Sequence, residues 1–220
     1  SLRNPVTRQN YFADYESTDG AQNFLSAMEN YAILKGQQTN LYKCFLPQAW
    51  TFAAKKGVEA FIHPEGVYDD PKGGALRKTL FPRLRKHFMF ANERKLFSEV
   101  HHHTQFSLNV YGGPLRSLSF DTISNLYDPM TIRECYEGKR NGPVPGMKNE
   151  KGAWNTKGHP QRIVHVTEKE MQTIADIFSP DKDARRTPLP AIHASPLLEV
   201  LELFGKQPKR IGDMGDRVFF

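Results

Sequence analysis

A short apolar run at residues 58–62, held between Lys55-Lys56-Gly57 and His63-Pro64, constrains the fold of this chain more than any other segment. Apolar on consecutive positions rather than alternating, it fits a strand covered on both faces, as in a parallel α/β sheet. Its neighbours agree. Residues 21–34 place Phe24, Met28 and Tyr31 at i, i+4, i+7 before Gly36, which predicts a helix. Thr39 or Asn40 can cap a second helix with the stripe Leu41, Cys44, Phe45, Ala49, running to about Ala54. After the strand, residues 65–74 are dense in turn formers. A helix resumes near Ala75 with Leu76 and Leu80; Pro82 breaks it or opens a new turn, and Leu84 and Phe88 continue the stripe. Residues 96–100 and 105–111 are β-rich and flank His101-His102-His103-Thr104, and Gly112-Gly113-Pro114 ends the pair. Helix, strand, loop, helix, strand, strand is one parallel crossover followed by a hairpin, the edge of a mixed α/β sheet. A doubly wound sheet needs several strands before these, and the polar residues 1–20 read as a lead-in loop.

The texture changes after Pro114. Gly and Pro crowd residues 138–158, an irregular segment of a length that tends to be functional or mobile. A strand is expected at 162–166, then a helix capped by Thr167 and Glu170 and carrying Met171, Ile174 and Phe178. Ser195-Pro196 starts another, with Leu198, Leu201 and Phe204 along it, and Val218-Phe219-Phe220 is a β-like stub. The expected division is residues 1–112, an α/β part, and residues 113–220, a mixed α+β part.

Composition narrows the class. Hydrophobic residues make up 39% of the 220 and charged residues 25%, as in a globular domain. No apolar run reaches the ~20 residues of a membrane helix, and no secretory h-region opens the chain. Cys44 and Cys135, far apart, suggest buried free thiols in a reducing, cytoplasmic setting. The net charge is +6, and residues 71–95 hold eight cations (Lys72, Arg77, Lys78, Arg83, Arg85, Lys86, Arg94 and Lys95) against one acid, Glu93. Such a field attracts a polyanion, or is simply a solvated helix face.

Three constellations carry chemistry. His63-Pro64-Glu65-Gly66 ends a strand where open α/β sheets bind ligands. His101-His102-His103 invites a metal, but strand neighbours point to opposite faces and no Cys, Asp or Glu at zinc-like spacing completes a set. The expectation is no metal, with flat rings available to stack on a base. Lys139, Arg140, Lys148, Lys151 and Trp154 lie among glycines, as suits phosphate contact and stacking, or an ordinary loop around a core indole. There is no dinucleotide fingerprint, phosphate loop or hydrolase elbow.

Taken in order, the helix Asn40-Leu41-Tyr42-Lys43-Cys44-Phe45, the strand through Phe61-Ile62-His63-Pro64, the Leu76-Arg77 helix and Phe106 to Gly112 resemble one block of a known family. It is the second half of the catalytic domain of amino-group adenine DNA methyltransferases, closest to large single-chain proteins of restriction–modification and phage-defence systems. The resemblance covers about residues 20–112. It implies a partial Rossmann-like sheet ending in an antiparallel hairpin, followed by the start of a target-recognition region. It also implies S-adenosylmethionine as cofactor of the intact protein, and double-stranded DNA and the rest of the parent polypeptide as partners. The family's Gly-rich cofactor loop and Asn-Pro-Pro-aromatic tetrapeptide are absent. Asn4-Pro5-Val6-Thr7 lacks the second proline and the aromatic residue, so no catalytic role is assigned and the fragment alone is expected to be inactive. In the family an aromatic at the hairpin packs on a flipped adenine. His101 or His102 matches that position, with Pro64 and Glu65 shaping the pocket and Lys72, Arg77, Lys78, Arg83 and Arg85 as backbone contacts. Two other readings remain open: a non-enzymatic nucleic-acid-binding module with an α/β core, and an interaction domain whose basic face meets an acidic protein.

Overall fold

The computed structural model describes residues 3–38 and 40–209. Its first elements are the helices α1 (Pro5–Ser26), α2 (Met28–Tyr31) and α3 (Leu41–Phe52). Then come β1 (Val58–Pro64), α4 (Gly66–Asp69), α5 (Gly74–Leu80), β2 (Leu84–Ala91) and β3 (Gln105–Gly112). The remainder is β4 (Ser119–Leu126), α6 (Met130–Glu137), β5 (Val164–Thr167), α7 (Glu168–Phe178) and α8 (Pro196–Gly205). Short 3-10 turns occupy Ala32–Leu34, Asn92–Arg94 and Pro160–Arg162. The fold is α/β around a mixed five-stranded sheet in the order β1-β3-β2-β4-β5. β3 is antiparallel to both β1 and β2, so those two run parallel with β3 between them, a split β-α-β unit. β4 pairs in parallel with β2 and antiparallel with β5. The expected boundary after residue 112 therefore falls inside one continuous sheet.

Strand alternation sorts the two faces. One face presents Leu84, Tyr111, Phe120, Val164 and Val166 to α4, α5 and α7, building a core with Val67, Leu76, Leu80, Met171 and Ile174. The opposite face gathers Phe88, Phe90, Phe106, Ile123 and Leu126 around Cys135 of α6. A bulge between Leu84 and Lys86 shifts the register, so that Leu84 and His87 share a face. Cys44 and Cys135 are both free and buried, as expected.

Several expectations need correction. β1 is not a covered parallel strand. It is the sheet's edge, its neighbour is antiparallel, and Val58 and Ile62 are 71% and 58% exposed. Glu59 interrupts its apolar run, and a run that short does not report what covers it. The stripe after Pro82 is strand β2, because Leu80, Leu84 and Phe88 satisfy a helical spacing by coincidence while β2 is β-rich. Residues 96–100 form no strand; the hairpin is β2–β3, and the histidines lie in its loop. Residues 5–20 are helical: the Asn4 side chain accepts from the backbone of Val6 and Thr7, and Pro5 takes the first helical position. No residue of α1 is buried, so no apolar stripe could announce it. The buried face of α3 is Lys43, Cys44 and Leu46, with Leu41 and Phe45 exposed.

The second half follows its cues more closely. The Thr167–Glu170 capping box and Pro196 at the start of α8 are both present. Residues 138–158 lack regular structure apart from one bridge, Lys148 to Trp154. They are nonetheless pinned: the fully buried Arg162 donates to the carbonyls of Lys157, Ser124 and Asn125, and Thr131 Oγ1 donates to Thr156 O. Thr39 and the stub at 218–220 lie outside the described residues. Among the described residues no helix is long and apolar enough to cross a membrane.

Candidate functional site

Two groups of histidines and glutamate assemble at one end of the sheet, where β1 and β2 finish and β3 begins. The first is enclosed. β1 delivers His63, β2 delivers His87 and β3 delivers Ser107, Asn109 and Tyr111 to the same face, and Tyr68 of α4 closes over them. His87 Nε2 lies 2.8 Å from Glu65 Oε1, and its Nδ1 lies 2.8 Å from Thr122 Oγ1. The Tyr68 hydroxyl donates to Asn109 Oδ1 at 2.6 Å and sits 3.1 Å from the Tyr111 hydroxyl. His63 Nδ1 is 2.8 Å from the Pro64 carbonyl, while its Nε2 is 2.9 Å from Asn109 Nδ2 and 3.0 Å from the Tyr111 hydroxyl. Asn109 Nδ2 can only donate. The His63 ring is therefore read as neutral, with its proton on Nδ1.

Electrostatics follow burial. Burial pushes His63 below the ordinary histidine range and the Tyr68 and Tyr111 phenols well above theirs. For Glu65 burial alone would raise the pKa, but His87 beside it, with Ser107 and His63, holds the carboxyl below its usual value. Its second oxygen, Oε2, is buried without a partner of hydrogen-bond geometry among the described residues. Glu65 is thus not a pocket wall facing solvent. It is 8% exposed and spent on His87, whereas Pro64 beside it is exposed.

The second group is open. Ala91 pairs with Gln105, and Asn92 N donates to Thr104 O, so the residue after Asn92 meets the one before Thr104. Glu93 thereby receives both His102 and His103: Nδ1 of His103 is 2.8 Å from Oε1, and Nδ1 of His102 is 3.3 Å from Oε2. The hydrogen bond from His103, helped by that from His102, holds the Glu93 carboxyl below its usual range. The histidines occupy a turn in which Thr104 N donates to His101 O, not a strand, so adjacent rings can converge. His101 is not a partner of Glu93: its Nδ1 accepts from His103 N at 3.3 Å, and its exposed ring lies 4.6 Å from that of His102 and 5.3 Å from that of His103, centroid to centroid. The buried Asn92 fixes the loop, its amide donating to the carbonyls of Phe97, Val100 and His101. Sequence reasoning missed Glu93. The usable signal was hairpin symmetry, since Glu93 follows β2 by as many residues as His103 precedes β3.

Arg94, next in the chain, lines a groove of about 440 Å³ with Lys148, Gly152, Ala153, Trp154 and Thr156. Trp154 stacks on Tyr127 at 4.6 Å between centroids, and Lys148 Nζ stands 3.7 Å over the indole. The histidine loop and the irregular segment, separate in sequence, thus adjoin through the Asn92–Arg94 turn. Lys139, Arg140 and Lys151 are exposed on the same irregular segment.

The basic stretch does not form one free surface. Arg77 is 2% exposed, and its guanidinium donates to the carbonyls of Arg186, Val67 and Asp70, which commits it to the fold rather than to phosphate. Arg83 lies 5.0 Å over the Trp50 ring and donates to Thr79 O; Arg85 donates to the carbonyls of Pro82, Leu84 and Gly113. Lys86 is paired with Asp121. Lys72 and Lys78 are exposed, Lys78 in a loose 3.8 Å pair with Asp183. No family model matches this chain, and no curated protein matches its sequence.

Proposed function

We infer that the chain is the later part of the catalytic domain of an S-adenosylmethionine-dependent DNA adenine methyltransferase, of restriction–modification or phage-defence type, with the start of its DNA-reading region. The observation that carries the reading is the element order. A capped helix at Asn40, a strand ending in Pro64, a helix carrying Leu76-Arg77 and the β2–β3 hairpin follow one another as the resemblance implies. The outer edge of β1 leaves room for it: no described strand pairs there, and Val58 and Ile62 are exposed on the sheet face opposite His63. Remaining strands of a Rossmann-like sheet, supplied by the parent polypeptide, would join at that edge, and their crossover helices would cover those side chains.

S-adenosylmethionine does not fit the residues present. The strand-to-helix turn at residues 63–66 closes on the Glu65–His87 pair and offers no cradle, so the cofactor belongs to the rest of the parent protein. What this chain supplies is on the DNA side, in the cytoplasm. His101 presents an exposed ring in the β2–β3 loop, suited to stack on an adenine turned out of the duplex. Lys148 and Lys151, both exposed on the irregular segment, would meet phosphates. The deciding experiment is methyl transfer by the intact parent protein to adenine in duplex DNA. His101→Ala should lose about 1–3 kcal/mol of stacking, roughly five- to 150-fold in rate, and His101→Phe should keep most of it. Absence of adenine methylation would overturn the assignment. Calorimetry showing micromolar cofactor binding by the 220-residue chain would overturn the half-domain reading.

The Arg94–Lys148–Trp154 groove favours a second reading, a non-enzymatic nucleic-acid-binding module. It predicts DNA binding with a salt slope that Lys148→Ala plus Lys151→Ala reduces by about two units, with no methyl transfer by the parent.

A further inference from the structure

The open histidine group has the composition and geometry of a metal site. One ligand atom each from Glu93, His102 and His103 lies within 4.8 Å of the others. Around a tetrahedral zinc with bonds of about 2.0–2.2 Å, ligand atoms stand roughly 3.3 Å apart. His102 Nδ1 stands 3.3 Å from Glu93 Oε2 and His103 Nδ1 stands 2.8 Å from Oε1, so a small opening of the carboxylate brings one oxygen to that spacing from both rings. Both rings turn the same nitrogen toward the carboxylate, so a cation would replace the protons now bridging rings and acid. The loop is built before any ligand arrives, because Asn92 holds three of its carbonyls.

We propose that Glu93, His102 and His103 bind a borderline divalent cation of the zinc class, with a fourth position open to solvent. Two imidazoles and one carboxylate suit zinc, cobalt or nickel, whereas magnesium and calcium ask for an all-oxygen shell. The accessible faces leave room for the metal to enter and for a water to complete it: the His102 and His103 side chains are 42% and 68% exposed. His101 lies outside the set, its Nδ1 engaged by the His103 backbone. The site is independent of the methyltransferase assignment, and it sits beside the ring assigned there to base stacking.

The test is calorimetric titration of the chain with zinc chloride, and separately with magnesium chloride, in a non-chelating buffer. One equivalent of zinc should bind and magnesium should not. Glu93→Gln and His103→Ala should each weaken zinc binding by about tenfold or more, about 1.4 kcal/mol. His101→Ala should leave it unchanged. The free cysteines are competing zinc ligands, so Cys44→Ser plus Cys135→Ser should also retain the equivalent. Circular dichroism on every variant confirms that the exposed-loop substitutions fold. No saturable zinc binding, or binding that survives Glu93→Gln with His103→Ala, would overturn the proposal.

Discussion

Two clusters of the same composition, histidines with one glutamate, sit at one end of the same sheet and have opposite characters. Around Glu65 the partners come from four strands and a covering helix, so nearly every polar atom is matched by another and the cluster is closed. Around Glu93 they are two adjacent histidines of one loop, and both rings stay accessible. The difference teaches that topology, not residue type, decides whether a His–Glu group serves the fold or a ligand. A cluster made of non-local partners is sealed by the core that brings them together. One made within a hairpin loop needs no core to bring its partners together and is left open.

The contrast is broken most directly by removing each glutamate. Glu65→Ala leaves the buried His87 Nε2 without its partner, and an orphaned buried group costs about 1–3 kcal/mol, more where the lost partner is charged. Urea denaturation should show the loss as a lower midpoint with an unchanged slope. Glu93→Ala should leave the midpoint where it was, because its partners return to water. If the two substitutions cost the same, the division into closed and open clusters is wrong.

A smaller effect sharpens the closed side. Tyr68→Phe removes the hydroxyl that donates to Asn109 Oδ1 and leaves that buried oxygen without its donor. An orphaned buried acceptor costs about 1–3 kcal/mol. A midpoint unchanged by Tyr68→Phe would mean that water reaches Asn109 and that the cluster is not sealed.

How far these clusters were legible in the sequence differs for the same reason. Local signals survived: the Thr167–Glu170 capping box, Pro196 opening α8 and the cap at Asn40 were readable because a few consecutive residues decide each. Partners set by strand register were not. Nothing near Glu65 in sequence names His87 as its partner, and the β-bulge after Leu84 that turns His87 inward leaves no residue signature. Arg77 looked like a surface cation because its three carbonyl acceptors are backbone groups, one of them 109 residues away. β1 was misplaced for a related reason, since apolar residues on both faces describe a strand made to be covered but not the strand that covers it. Residues 5–20 of α1 read as a loop because the helix buries nothing, and amphipathic periodicity exists only where a helix has a core to face.

The finest test of the closed cluster is its response to acid. His63 is buried with Nε2 facing two groups that hydrogen-bond to it, the Asn109 amide and the Tyr111 hydroxyl, and burial depresses its pKa below the ordinary 6.5. In the unfolded chain the ring takes a proton as pH falls through about 6.5, while the folded ring resists until lower pH. The unfolded state therefore binds more protons in that window, and the contribution of His63 to stability, fully present above about 6.5, is lost as pH falls. Glu65, also depressed, acts with the same sign but only as pH falls below its ordinary value of 4.5. Between about pH 7.5 and about pH 5.5 the histidine contribution is thus separable from that of the carboxylate. The denaturation midpoint of the native chain should drop across that interval. His63→Gln, which keeps an amide for hydrogen bonding and cannot titrate, should drop less. His193 is depressed by burial too, and its Nε2 donates to the Pro145 carbonyl, so His193→Gln is the control that apportions the remainder. A drop in His63→Gln equal to that of the native chain would place the His63 ring in contact with water, and the cluster would have to be redrawn as open.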